Sequence, residues 1–392
     1  MGSVAYIHFE WHEAFLTLLS FCLCWALVII APKVPRLYGR AHLEAVQASH
    51  SEPTPRVGGI AIFGSLAISV MFVQSEITWP YGLFIIATSV IFIAGLAEDL
   101  GFGVSPLRRL CAVCLASVLA IWFLGVWLPR MDIPGLDGLM AYGIVGIPLT
   151  LLVTAGIANG FNLIDGVNGL ASFTGIVAAV ALGLIAEQAG YPIMVHSSIL
   201  LAAGIFGFFM INFPYGLIFL GDAGAYTIGF VLSWFGIAVL LNAPEVSPWA
   251  ILLTMFWPLA DTLLAIYRRA RGKVATMAPD RLHVHQLVMR ALEIYVLGRG
   301  KREITNPLST LILAPFVAAP PLVGVLFWNQ TTLAFLSVIG FLVLFFGSYK
   351  LAFKVLRLLK HKGWSPDVNR GIISSPTDLI MPVPLKEETE RV

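Results

Sequence analysis

The sequence predicts an all-α integral membrane protein, and three observations carry that prediction. Hydrophobic residues fill 58% of the 392 positions and charged residues only 12%, whereas a soluble domain has about 25% charged residues. The mean hydropathy is +0.87. The apolar residues fall in runs close to the roughly 20 that a helix needs to cross a bilayer.

Eleven such runs follow one another: 14–31, 57–75, 80–97, 108–128, 141–158, 168–187, 195–212, 224–241, 248–267, 308–328 and 332–352. Gly and Pro interrupt several of them, which membrane helices tolerate. The positive-inside rule orients the set. Of the 24 Lys and Arg, 23 lie in four regions. Lys33, Arg36, Arg40 and Arg56 occupy the first loop, and Arg108 and Arg109 the third. The long connection 268–307 and the C-terminal segment hold the rest. Eleven crossings put all four on one face, which is then cytoplasmic. The N-terminus is extracytoplasmic and the C-terminus cytoplasmic. Only Arg130 falls outside the pattern.

Residues 1–362 read as one polytopic membrane domain and 363–392 as a polar, loosely ordered cytoplasmic tail. Segment 283–297 alternates apolar and polar residues at helical spacing, which predicts a short helix lying on the cytoplasmic surface. Cys22, Cys24, Cys111 and Cys114 all sit in apolar runs, so no disulfide is expected. No basic stretch precedes the first run, so no cleavable signal peptide is expected. The net charge of +2 is uninformative, and no nucleic-acid partner is expected.

Polar clusters interrupt this apolar background on the cytoplasmic side. The densest is Asn159-Gly-Phe-Asn162-Leu-Ile-Asp165-Gly-Val-Asn168-Gly-Leu170. Others are Pro53-Thr-Pro-Arg56-Val-Gly-Gly59, Glu98-Asp99, Gly221-Asp222-Ala-Gly224, Asp261 and Asp280-Arg281-Leu-His283-Val-His285-Gln286. Each alone reads equally well as a turn, a helix terminus or a solvated loop face. Together they place rare acids at helix ends that could converge, and intramembrane acids are costly and usually functional. Clustered carboxylates repel unless a cation joins them, and hard oxygen ligands suit Mg²⁺ or Mn²⁺. Arg56, Arg281, His283 and His285 suit phosphate oxygens. Carboxylates, a divalent ion and phosphate-binding bases are the parts of phosphoryl transfer.

Taken in order, these motifs resemble the polyprenyl-phosphate N-acetylhexosamine-1-phosphate transferases, glycosyltransferase family 4, from Pro53 to Gln286. Pro-Thr-Pro-Arg-Val-Gly-Gly matches the first cytoplasmic motif. Asn159-x-x-Asn162-x-x-Asp165-Gly-x-x-Gly-Leu matches the most specific one. Asn212-x-Pro-x-x-x-x-Phe219-x-Gly-Asp222-x-Gly matches the next. Pro279-Asp-Arg281-x-His283-x-His285 is similar to the histidine motif of the undecaprenyl-phosphate GlcNAc-1-phosphate branch. Three positions depart from the pattern: Glu98 in the aspartate pair, Asn168 for an Asp, and Gln286 for the last His.

The resemblance implies an inner-membrane enzyme, with a homodimer as a candidate assembly. Undecaprenyl phosphate would attack the β-phosphorus of a UDP-sugar, release UMP and start a lipid-linked cell-surface polysaccharide such as O-antigen. It also implies Asp222 as the principal Mg²⁺ or Mn²⁺ ligand. Asp99 would be a second ligand that positions or deprotonates the lipid phosphate, with Glu98 and His283 beside it in the catalytic set. Asn159, Asn162, Asp165, Asn212 and Phe219 would frame the nucleotide. Arg56, Arg281, His283 and His285 would hold phosphates. Asn168 would line the nucleotide-sugar site and alter the preference for GlcNAc. A transporter is the competing class, but its acids would sit near the midplane of repeated halves, and no repeat is visible here. A CDP-alcohol phosphotransferase would need an Asp-Gly-x-x-Ala-Arg element, and no Arg follows Asp165-Gly166 at that spacing.

Overall fold

The computed structural model describes residues 10–38, 54–272, 283–298 and 301–361. All regular structure among them is helical. The α-helices are α1 (Trp11–Ile30), α2 (Gly59–Ser69), α3 (Thr78–Asp99), α4 (Pro106–Leu124), α5 (Asp137–Met140) and α6 (Gly143–Ile164). They continue with α7 (Leu170–Gln188), α8 (Pro192–Asn212), α9 (Gly221–Asn242), α10 (Pro248–Thr254) and α11 (Phe256–Gly272). The last three are α12 (Val284–Tyr295), α13 (Arg302–Leu326) and α14 (Thr331–His361).

Among the described residues, nine helices are long and apolar enough to cross a membrane, or ten with α10 and α11 taken as one bent span. The chain is therefore a multi-pass membrane protein, with fewer full-length helices than the eleven runs suggest. Two runs account for the difference. Run 57–75 holds only α2, 11 residues long, or about 16 Å at the helical rise. Residues 70–77 then pass through turns, where Gln74, Ser75 and Glu76 break the apolar run. Run 248–267 breaks at Met255, and its two halves meet at 83°. Pro258 has no N–H to reach the Thr254 carbonyl, so the helix restarts with Pro258 in its first turn.

The bundle is built around α9, almost every residue of which is buried. Helices α2, α3, α6 and α7 pack on it. Its closest approaches to α2 and α3 run through Gly59, Gly95 and Gly224, where small residues let backbones meet.

The polar contacts sort the helix ends into two groups. At one end α3, α6 and α8 finish while α2, α4, α7, α9 and α13 begin. Asp99 there bonds the first amides of α9, Asn212 bonds Gly169, and Asn306 bonds Asn168. At the other end Arg130 reaches Pro244 and Val246, Asp132 meets Thr331, and Ser247 donates to Trp328. The α1 and α8 N-termini meet at that second end through Glu13 and His196. The tail 363–392 and positions 273–282, Arg281 included, lie outside the described residues.

Candidate active site

The site is assembled where α9 begins. A buried helix N-terminus leaves amide N–H groups that need acceptors, and Leu220, the residue before α9, offers no side-chain cap. Two other helices supply carboxylates instead. Asp99, the last residue of α3, accepts the Asp222 N–H at 2.8 Å and the Ala223 N–H at 2.9 Å. Asp165, just past α6, accepts the Gly221 N–H. Both acids are poorly placed for their own helix dipoles and well placed for that of α9. Arg56 lies close enough to attract both. Gly221 has φ +72°, and a Cβ there would collide with the Arg56 carbonyl and the Asp99 carboxylate. Only glycine closes this junction.

Asp222 follows at once and is 6% exposed. Its carboxylate pairs with the guanidinium of Arg109, from the first turns of α4. Arg109 also lies over the ring of Tyr226, 5.9 Å from the centroid. Tyr226 is four residues after Asp222 and so on the same face of α9. Its hydroxyl donates to Asn159 Oδ1 at 3.4 Å and also bonds Asn162. Asp222, Asp99, Asp165, Arg56, Asn159 and Asn162 are thus gathered at one place, as the motifs require.

A second group of motif residues braces the surrounding loop. Asn212 Oδ1 accepts the Gly169 N–H at 2.6 Å, and its Nδ2 donates to the Ile218 carbonyl at 2.7 Å. Asn168 is 3% exposed. Its Nδ2 donates to the Pro214 carbonyl at 2.9 Å, its N–H donates to Asn306, and its carbonyl accepts the Thr310 hydroxyl. Phe219 joins the 54–58 segment through its backbone: its N–H donates to Pro55, and its carbonyl accepts from Gly58. These contacts give Asn168, Asn212 and the Phe219 backbone a structural task that motif matching alone does not reveal.

The histidines occupy a third corner. His283 precedes α12, with Nδ1 2.6 Å from Asp261 Oδ2 of α11, and Asp261 Oδ1 also accepts the Val284 N–H. The His285 ring stacks 5.7 Å from that of His283 and lies against Gly166, where a Cβ would collide with Nε2. Neither ring nitrogen of His285 has a hydrogen-bond partner. Burial, with His283 adding to it, pushes its pKa down to about 3, so the ring is neutral at pH 7. Burial also pushes Asp165 up to about 6, against the pull of Arg56 and the Gly221 amide. Glu98, next to Asp99, keeps Oε2 buried and unbonded.

Among the described residues, no three His, Cys, Asp or Glu side chains form a group that could enclose a metal ion. Mg²⁺ rarely uses such a cage. It is commonly held by one or two carboxylates, with substrate phosphates and water completing its shell. Asp222 fits that role, because its carboxylate answers a side chain rather than the backbone. Asp99 is already engaged through both oxygens by the α9 backbone.

Sequence reading passes over Arg109, Tyr226 and Asn306. For Arg109 a signal existed. A cation in the first turns of a membrane helix opposes the helix dipole, so it needs an acid from elsewhere. Tyr226 lies in an apolar run and Asn306 at the end of the long connection, with nothing in the sequence to single either out.

The model of glycosyl transferase family 4 matches residues 81–240, which covers α3 through most of α9. The chain is similar to the undecaprenyl-phosphate alpha-N-acetylglucosaminyl 1-phosphate transferase of Yersinia pestis, 27% identical over 278 residues, covering 69% of this chain and 75% of the relative. It is 27% identical over 276 residues to the protein of that name in Escherichia coli K12, with 67% and 73% covered. It is 30% identical over 274 residues to the decaprenyl-phosphate N-acetylglucosaminephosphotransferase of Mycobacterium leprae, with 62% and 68% covered.

Proposed function

This chain belongs to glycosyl transferase family 4, and from that premise we propose that it transfers N-acetylglucosamine 1-phosphate, or the 1-phosphate of a related N-acetylhexosamine, from a UDP-sugar to a polyprenyl phosphate. The relatives named above are undecaprenyl- and decaprenyl-phosphate enzymes of this kind. The observation that supports the reading best is Asp222: a buried carboxylate at the start of α9, held by a cation rather than by the backbone.

In the proposed reaction an oxygen of the lipid phosphate attacks the β-phosphorus of the UDP-sugar. A new P–O bond forms, the bond from the β-phosphorus to the bridging oxygen breaks, and UMP leaves with that oxygen. Asp222 would hold Mg²⁺ or Mn²⁺, which neutralises charge on the diphosphate. Arg56 and Arg109 carry positive charge to the same place. Neutral His285, with two unbonded ring nitrogens, can donate through one and accept through the other. The N-terminus of α9 adds its dipole, already balanced by Asp99 and Asp165. The product would start a lipid-linked cell-surface polysaccharide.

The helix ends that carry the site also carry Lys33, Arg36, Arg56, Arg108 and Arg109. By the positive-inside rule this end faces the cytoplasm, where UDP-sugars are found, and the membrane is the inner one. A single cysteine at position 330 should label from outside intact cells. Failure to label would reverse the assignment. The deciding experiment incubates purified protein with undecaprenyl phosphate, Mg²⁺ and a panel of UDP-sugars. UMP should appear with at least one UDP-N-acetylhexosamine. No UMP from any member of the panel overturns the proposal.

A further inference from the structure

We propose that Arg109 makes metal binding conditional on the nucleotide: its guanidinium holds the Asp222 carboxylate and releases it to a divalent ion only when a diphosphate is present to take the guanidinium over. This rests on the reading of the site given above. The contact is a built seat rather than a surface ion pair. The Arg109 side chain is 13% exposed and that of Asp222 8%. Tyr226, 2% exposed, places its ring under the guanidinium, and Asn159 and Asn162 fix its hydroxyl.

Two features point from this seat to an anionic ligand. The Arg109 Nε–H is buried and has no acceptor. A buried donor of that kind is costly, and a guanidinium presents it in a fork that matches phosphate oxygens. The second feature is charge. Asp222 and Arg109 neutralise each other, so a divalent ion arriving alone would have to displace a cation and then remain beside it in a poorly solvated place. A diphosphate supplies the missing negative charge for both cations. Metal and nucleotide should therefore bind cooperatively, with Arg109 as the positioning residue that couples them.

The test titrates Mn²⁺ by electron paramagnetic resonance against the full-length protein in nanodiscs, with and without UDP. In the wild type, UDP should tighten Mn²⁺ about tenfold or more, and Mn²⁺ should tighten UDP by the same factor, because coupling is reciprocal. In Arg109→Gln, Mn²⁺ alone should bind about tenfold more tightly than in the wild type, and the enhancement by UDP should shrink. Arg109→Lys keeps the charge and should keep weak binding of Mn²⁺ alone. Thermal unfolding of each variant controls for folding. Arg109→Gln binding Mn²⁺ alone as weakly as the wild type overturns the inference and leaves the proposed function standing. A wild type that binds both ligands independently overturns it too, even if Arg109→Gln does not fold. A wild type that binds no Mn²⁺ even with UDP overturns both this inference and the metal-dependent reading of the site.

Discussion

Two arginines at opposite ends of the bundle pair with aspartates, and the difference between them separates architecture from chemistry. Arg130 donates to Asp132 Oδ1, to the Pro244 carbonyl and to the Val246 carbonyl, each at 2.6 Å. Asp132 accepts the Thr331 hydroxyl with its other oxygen. Both terminal nitrogens of Arg130 and both oxygens of Asp132 are answered within the chain, and the knot ties the 125–136 segment to the turns before α10 and before α14. Arg109 pairs with Asp222 but keeps a buried Nε–H without an acceptor. A satisfied ion pair holds a fold together. One that leaves polar atoms unanswered is set up to exchange partners with something else.

Exchanging the acids should separate the two roles most sharply. Asp222→Asn should lower the turnover of the folded fraction by roughly 100-fold or more, as loss of a preorganised electrostatic group does elsewhere. Asp132→Asn should do the opposite, costing stability and leaving the activity of the folded fraction intact. Turnover by Asp222→Asn close to the wild type would place the chemistry elsewhere.

The Arg130 knot gives the next largest effect. Arg130→Met removes three hydrogen bonds and leaves Asp132 without its cation. Breaking one partner of a well-buried pair costs about 3–5 kcal/mol. Arg130 is 20% exposed on its side chain, so water compensates in part and a loss of about 2 kcal/mol is expected. Chemical denaturation in detergent, with turnover measured on the folded fraction, checks it. A drop in activity without a drop in stability would make the knot more than a brace.

These contrasts also mark what the sequence could reveal. Rare acids at the ends of apolar runs pointed to Asp99, Asp165 and Asp222, because charge in such places needs a reason. The charge pattern pointed to one polar end of the bundle for the same cause. What stayed hidden depended on which backbone amides lacked acceptors, and that emerges only when helices meet. Asp99 and Asp165 look alike as motif residues, yet their carboxylates complete the start of α9. Asp261 was visible as an acid, but its partner His283 lies 22 residues away, beyond the end of α11. The break before α11 falls close to Pro258, whereas the early end of α2 follows from a polar turn inside an apolar run.

Asn168 sharpens the comparison at a smaller scale. As a departure from the motif it suggested an altered sugar preference. In the structure its amide donates to the Pro214 carbonyl and its backbone is fixed by α13. Asn168→Asp removes that donor and turns a carboxylate towards a carbonyl, which should cost about 1–3 kcal/mol. The ranking of UDP-sugars by kcat/KM should be unchanged. A changed ranking at unchanged stability would return Asn168 to the sugar site.

The smallest expected effect belongs to Asp165 and concerns pH. Its folded-state pKa is raised from 3.8 to about 6 by burial. Between those values the folded chain binds more protons at this position than the unfolded chain does. Stability from this group is therefore fully present below about pH 3.8 and is lost as pH rises through about 6. The thermal midpoint of the wild type should then rise slightly as pH is lowered from 7 towards 5. Other groups titrate in that range, so the informative quantity is the difference from Asp165→Asn. Asn cannot titrate, and its Oδ1 can still accept the Gly221 N–H. The variant should show a shallower dependence between pH 5 and 7, with its helix cap kept. Turnover should behave differently from stability. Protonation of Asp165 weakens its hold on the α9 amide and on Arg56, so wild-type kcat/KM should fall below pH 6 while the fold becomes no weaker. Equal pH slopes for wild type and variant would mean that Asp165 is solvated enough to titrate as an ordinary carboxylate, and that Asp99 and Asp222 set the electrostatics of the site without it.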